Sequence, residues 1–240
     1  MLRAKYILFI AVILMLLVSD GTSQQKSFNQ GAVKGRVLDQ NNQSVAGAYV
    51  RLYYQAPTAP LLYDLNTKTN DKGDYEITGI KVDTNFCLTF WHPNSYLAWE
   101  RAKHEQLGFP LLDEHKSNVE YYVAVKRDVQ VKNADEKLTV EAQLLPVEKT
   151  KLSAKAHIQT SIRQPIKYRE VVFMGEDKGL VLYTDSDGNV QAHGLPPGKY
   201  DVVVPLLPQQ LIEKPVPQVP KKTITIKTGQ VEAVTFETSN

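Results

Sequence analysis

Apolar and polar residues alternate along most of this chain in short runs broken by Gly, Pro, Asn and Asp, the pattern of half-buried strands joined by tight turns. Val33, Gly35 and Val37 alternate with Lys34 and Arg36. From Tyr49 to Tyr54, Val50 and Leu52 point one way and Tyr49, Arg51 and Tyr53 the other. Phe86, Leu88 and Phe90 share a face, with Cys87 opposite. The same reading predicts strands over Tyr121 to Lys126, Leu138 to Leu145, Lys151 to Thr160, Arg169 to Gly175, Leu180 to Thr184, Thr223 to Lys227 and Val231 to Glu237. Two stretches interrupt the pattern. Ala56 to Leu62, with Pro57 and Pro60, is predicted to break the pairing, and Pro205 to Pro220 reads as extended, polyproline-like chain suited to a long loop or a docking surface.

A longer pattern occurs twice. Thr184 to Val204 reads T-D-S-D-G-N-V-Q-A-H-G-L-P-P-G-K-Y-D-V-V-V, a turn, a short strand, a second turn and a longer strand. Asp187-Gly188 is predicted to form a type I′ hairpin, since Gly reaches positive φ without a Cβ clash. Pro196, Pro197 and Gly198 reverse the chain again. Upstream, T-N-D-K-G-D-Y-E-I-T-G-I from Thr69 matches it without a gap: Thr69 with Thr184, Gly73 with Gly188, Tyr75 and Ile77 with Val190 and Ala192, Gly79 with Gly194. That spacing exceeds a solenoid period and suits two successive small domains. Gly47, just before the strand from Tyr49, marks a bulge or a close backbone approach.

G-R-V-L-D-Q-N-N-Q-S-V-A-G-A-Y-V-R-L-Y, followed by T-N-D-K-G-D-Y-E-I-T-G-I, resembles the carboxypeptidase regulatory-like domain. That family implies a transthyretin-like β-sandwich of about seven strands, an accessory module of many exported bacterial proteins. The second copy of the pattern resembles collagen-adhesin B-type and pilin-type modules of the same superfamily, and departs from the first in having no Gly-Ala pair before its second strand. The expected fold is all-β, two tandem prealbumin-like (Ig-like) β-sandwich domains, residues 31–147 and 148–240, with a short helical insertion in the first.

The N-terminus adds an address. Arg3 and Lys5 precede an apolar run from Tyr6 to Val18 that is short for a membrane span and reads as a secretory signal peptide over 1–23, with a polar linker over 24–30; an uncleaved anchor is the alternative. The expected location is secreted, periplasmic or in the cell envelope. A net charge of +2 shows no basic stripe of the kind nucleic-acid binders carry. Cys87 is the single cysteine, so no intramolecular disulfide forms; with no His or acidic neighbour it reads as a buried apolar residue rather than a reactive thiol.

Ser95 to Leu107 has a helical pattern with Ser95 as N-cap. This insertion either covers an open end of the sandwich or offers Trp91, Tyr96, Trp99, Tyr121 and Tyr122 as an exposed ligand platform. Catalytic constellations are missing. His92, His104, His115, His157 and His193 show no metal-binding spacing, no G-x-S-x-G elbow is present, and Asp185, Asp187 and Asn189 do not keep the EF-hand register. Lys151 and Lys155 lack a last-strand asparagine for an isopeptide cross-link. No cofactor or metal is implied, and the expectation is not an enzyme but a non-catalytic exported protein whose β-sandwiches bind a protein partner at the envelope or surface; the alternative is a carbohydrate-binding module using the Trp91/Trp99/Tyr platform.

Overall fold

The structure is a computed structural model that describes residues 30–55, 60–97, 100, 119–205 and 219–238, with the side chains of 54–64 outside that description. The predicted leader, Trp99, most of the insertion and most of the Pro205 to Pro220 stretch therefore lie outside the described residues. Eight strands come first: β1 (Gln30–Leu38), β2 (Tyr49–Gln55), β3 (Pro60–Lys68), β4 (Asp74–Lys81), β5 (Asn85–Trp91), β6 (Val123–Gln130), β7 (Lys137–Thr139) and β8 (Ala142–Gln143). Seven follow: β9 (Leu152–Gln159), β10 (Glu170–Met174), β11 (Lys178–Tyr183), β12 (Asn189–His193), β13 (Gly198–Val203), β14 (Lys221–Ile226) and β15 (Glu232–Glu237).

The alternation places two cores. Val33, Val37, Tyr75 and Ile77, from a sheet ordered β4-β1-β7 with β8 also on β1, pack against Val50, Leu52, Phe86, Leu88 and Phe90 of β2 and β5. Ala154, Ala156, Ile158, Val190, Ala192, Val234 and Phe236, from a sheet ordered β12-β9-β15, pack against Val171, Phe173, Leu180, Tyr200 and Val202. Each such side chain stabilises the fold by roughly 1.5–3 kcal/mol when fully buried. The two sandwiches share one topology: in each, the first strand pairs antiparallel with the fourth and parallel with the last.

Their second sheets are one sheet. β6 pairs antiparallel with β11 at Ala124↔Lys178 and Val123↔Gly179, so the order runs β14-β13-β10-β11-β6-β5-β2-β3 without a break. β5 is buried on both faces, Phe86, Leu88 and Phe90 inward and Cys87, Thr89 and Trp91 outward.

Both copies of the repeated pattern build the same corner. The Thr69 hydroxyl donates to Val45 O (2.6 Å) and accepts from Ala48 N (2.8 Å); the Thr184 hydroxyl donates to Ile166 O (2.7 Å) and accepts from Arg169 N (2.7 Å). One residue on, Asn70 Oδ1 accepts from Lys72 N and Asp74 N, as Asp185 Oδ1 does from Asp187 N and Asn189 N.

Several expectations change here. Asp187-Gly188 is not a type I′ hairpin: Gly188 N donates to Asp185 O (3.1 Å), Gly188 takes φ 72° while Asp187 is not in the positive-φ region, and β11 and β12 belong to different sheets. The turn is a corner that hands the chain from one layer to the other. β3 begins at Pro60, inside the stretch read as a break, because an edge strand tolerates proline at its first residue. Leu138 to Leu145 is two strands rather than one. A Cβ at Gly35 would stand 1.9 Å from Val140 O, and that close approach lets Val140 kink the chain while its carbonyl accepts from the Tyr75 hydroxyl (2.7 Å). Gln30, read as linker, already belongs to β1.

Candidate interaction surface

The aromatic residues singled out from the sequence are divided by the strands that carry them. Trp91 closes β5 and is 6% exposed, its Nε1 donating to Thr89 Oγ1 (3.3 Å), and Tyr122 is 5% exposed. Neither offers a ring face to solvent. Tyr96 stacks on Tyr49 with centroids 3.4 Å apart and meets Trp91 edge-on at 6.2 Å, while Lys68 Nζ lies 4.3 Å from the Tyr49 centroid. Tyr121 stacks instead on His92 at 3.8 Å. The start of the insertion thus folds onto the outer face of β2 and β5.

Ser95 is not an N-cap. The helical turn covers 93–97, begun by Tyr96 N donating to His92 O (3.0 Å) and Asn94 N donating to His92 Nδ1 (3.2 Å). Ser95 Oγ instead accepts from Tyr121 N (3.0 Å) and donates to Tyr121 O (3.2 Å), tying the two ends of the insertion together. Burial holds the His92 imidazole below its ordinary value, with Asp39 opposing.

Tyr122 and Arg127 serve a different purpose, the join between the sandwiches. The Tyr122 hydroxyl donates to Gly194 O (2.5 Å), and its ring belongs to the core of the second sandwich. Arg127, on β6, donates through Nη2 to Met174 O (3.1 Å) and Gly175 O (2.9 Å) and through Nη1 to Asp201 (3.5 Å). Asp201 also accepts from Lys221 (3.1 Å) and Thr223 (2.9 Å). Burial works to raise the Asp201 carboxyl, and the hydrogen bonds from Lys221 and Thr223 with the charges of Lys221 and Arg127 outweigh it, holding the group below the usual carboxylate range. Beside this join lies an open groove of about 700 Å³ lined by Tyr122, Leu145, Lys151, Lys178, Pro197 and Val231 among others.

Sequence reasoning reached Tyr122 as part of a cap or a ligand platform, not as the join, and did not reach Arg127, Asp201 or the contact side of Gly194. Gly194 carried a signal, its match to Gly79. A Cβ on Gly79 would meet nothing closer than Gln30 Oε1 at 3.8 Å, whereas one on Gly194 would stand 2.0 Å from Glu148 O. Arg127 carried none, because its partners depend on how β6 meets β11.

Among the described residues, no group of three or more His, Cys, Asp or Glu side chains could hold a metal ion. His157 Nδ1 lies 2.9 Å from Asn189 Oδ1 in a surface pair, and His104 and His115 lie outside the described residues. Lys151 and Lys155 are exposed, and the inward positions of β9 are Ala154, Ala156 and Ile158, which leaves no lysine on that strand facing the core. Burial pushes the Cys87 thiol up to about 11, with Arg127 and Asp128 acting in opposite directions.

Fold and surfaces together define the class: an all-β protein of β-sandwich architecture whose two sandwiches share a continuous sheet. No family model matches the chain, that of the carboxypeptidase regulatory-like domain included, and no curated protein matches it. Among solved structures, the Bacillus anthracis TIE protein matches over 87% of this chain and 33% of its own, at 15% identity and a TM-score of 0.30. A streptococcal ancillary pilin matches over 87% of this chain and 62% of its own, at 14% identity and a TM-score of 0.29. (S)-allantoin synthase matches over 48% of this chain and 40% of its own, at 18% identity and a TM-score of 0.30. The chain thus spans less than two thirds of each of these proteins.

Proposed function

We propose that the protein is a non-catalytic, exported binding and structural protein of two domains, 31–147 and 148–240, that meets a protein partner at the cell envelope or surface. One observation carries the reading: the eight-stranded sheet runs through both sandwiches, and the Tyr122 hydroxyl and Arg127 Nη2 donate across the join to backbone carbonyls of the second sandwich. A body fixed in this way holds its loops at set distances, which suits presentation of a surface rather than closure around a substrate. Export rests on the leader predicted over 1–23, and among the described residues no helix is long and apolar enough to cross a membrane. The platform reading loses support, since Trp91 and Tyr122 are buried.

The test is purification from the protein's own host, with N-terminal sequencing of the product and mass spectrometry of what stays bound. A chain starting near Thr22 or Gln24 with a stoichiometric protein partner is the expected result. A chain retained in the cytosol, or one that retains nothing, overturns the proposal.

A further inference from the structure

The loop between β1 and β2 and the loop between β9 and β10 are the same structure built from different residues. In the first, Asp39 N donates to Gln43 O (2.9 Å), Asn42 N to Asp39 O (3.1 Å), Val45 N to Val37 O (3.0 Å) and Gly47 N to Thr69 O (3.0 Å). In the second, Thr160 N donates to Gln164 O (2.8 Å), Arg163 N to Thr160 O (2.9 Å), Ile166 N to Ile158 O (2.9 Å) and Tyr168 N to Thr184 O (3.0 Å). Both loops need two residues in the left-handed region. The first supplies Asn42 (φ 58°) and Gly47 (φ 69°), the types that accept it at least cost. The second supplies Arg163 (φ 61°) and Tyr168 (φ 55°), and a bulky aromatic at such a φ is a true outlier. Strain of this kind persists only where the surroundings enforce it, and it concentrates at binding sites.

The strained loop also differs in what it displays. Its counterpart in the first sandwich carries Asn41, Asn42, Gln43 and Ser44, all exposed and polar. Here Ile162 is 73% exposed and Tyr168 45% exposed, with Lys167 Nζ 5.9 Å from the Tyr168 ring centroid. Between Thr160 and Arg169 the loop holds Arg163 and Lys167 and no carboxylate, while Asp185 and Asp187 sit on the adjoining corner. Beneath it the Arg169 guanidinium, only 5% exposed as a residue, donates to Pro205 O (2.5 Å) and fixes the base of the loop.

We infer that this loop, with Ile162 and Tyr168 as apolar anchors and Arg163 and Lys167 as flanking cations, is the surface that docks a protein partner presenting an apolar pocket rimmed by Asp or Glu. The inference rests on the partner-binding reading above. Exposed tyrosine and arginine are the residue types in which interface energy concentrates, and a paired cation on each side sets register and excludes basic partners.

The experiment places the photo-crosslinker p-benzoyl-phenylalanine at Ile162 of the full chain in its own host, and at Asn41 in the equivalent loop as comparison. Irradiation is expected to give a protein adduct from position 162 and not from 41, with Asp or Glu beside apolar residues in the crosslinked peptide. Adding Tyr168→Asn should reduce the adduct by about tenfold or more, the loss a hot-spot tyrosine carries. It should not lower the thermal midpoint, because Asn accepts the left-handed region that Tyr resists. No adduct at 162, the same adduct from 41, a lipid adduct, or an adduct indifferent to Tyr168→Asn overturns the inference. If a partner co-purifies with a chain giving no adduct at 162, only the loop assignment falls; if none co-purifies, the partner-binding reading falls with it.

Discussion

Replacing Gly194 by alanine is expected to destabilise the protein far more than the same change at Gly229, although both glycines sit in the left-handed region, at φ 74° and 76°. Backbone strain for a Cβ there is about 1–2 kcal/mol, offset by about 0.4–1 kcal/mol because alanine has fewer unfolded conformations to lose. At Gly229 nothing lies within 4 Å of the new carbon, so that difference is the whole effect, about 1 kcal/mol and at most about 1.6 kcal/mol. At Gly194 the carbon would lie 2.0 Å from Glu148 O and 2.7 Å from Glu148 C, inside backbone that no rotamer change can move. Relief requires Gly194 and the 146–151 segment to move apart, displacing Gly194 from both its partners. That shift breaks Gly194 N to Lys151 O (2.7 Å) and the Tyr122 hydroxyl to Gly194 O (2.5 Å). At about 1 kcal/mol for each bond, the total for Gly194→Ala is about 3 kcal/mol. Urea denaturation of both variants reads the difference directly. Equal midpoints would refute the argument that the linker crosses against Gly194, and with it the closeness of the join.

Thr69→Val and Thr184→Val should each cost about 1–3 kcal/mol by the same assay, since each buried hydroxyl both donates to one backbone group of its corner and accepts from another; unequal effects would show that the two corners are not equivalent. Asp201→Asn should lower stability near neutral pH and leave it unchanged in acid. A carboxyl whose folded pKa is depressed stabilises above its unfolded value of about 3.9 and loses that contribution as pH falls through the folded value. Denaturant midpoints of the variant and the parent, followed across that range, should converge below it. Cys87, with its thiol raised to about 11 by burial, should resist alkylation at neutral pH until the protein is unfolded; labelling at the rate of a free thiol in the native protein would contradict its placement.

Period-two alternation and turn chemistry are local, and they carried the chain a long way. Residues grouped on one face from sequence alone, Val50 with Leu52 and Phe86 with Leu88 and Phe90, lie in the first core. The T-x-x-x-G repeat marked two equivalent corners because its requirements, a hydroxyl for two backbone groups and a positive φ four residues on, are met within a few residues of chain. Where the first sandwich has Gly47-Ala48 the second has Tyr168-Arg169, with Tyr168 at positive φ as Gly47 is, a substitution visible in the sequence but without meaning until the two loops' hydrogen bonds are matched.

Other features depend on which strands meet, and short-range pattern does not encode that. A turn between alternating runs looks the same whether it joins neighbours in one sheet or passes between two, so the Asp187-Gly188 corner read as a hairpin. Pro60 read as a break because its tolerance comes from β3 lying at an edge. Whether Trp91 and Tyr122 cover the sandwich or form a platform stayed open in the sequence, because aromatic composition is the same for a buried ring and an exposed one. Sequence by itself determined the all-β class and the repeated turn pattern, since these follow from steric and hydrogen-bonding needs of residues near one another in the chain. Only the tertiary structure decided that β6 pairs with β11, that Arg127 and Tyr122 close the join, and that one loop of an equivalent pair holds a strained tyrosine outward, since each sets together groups dozens of residues apart.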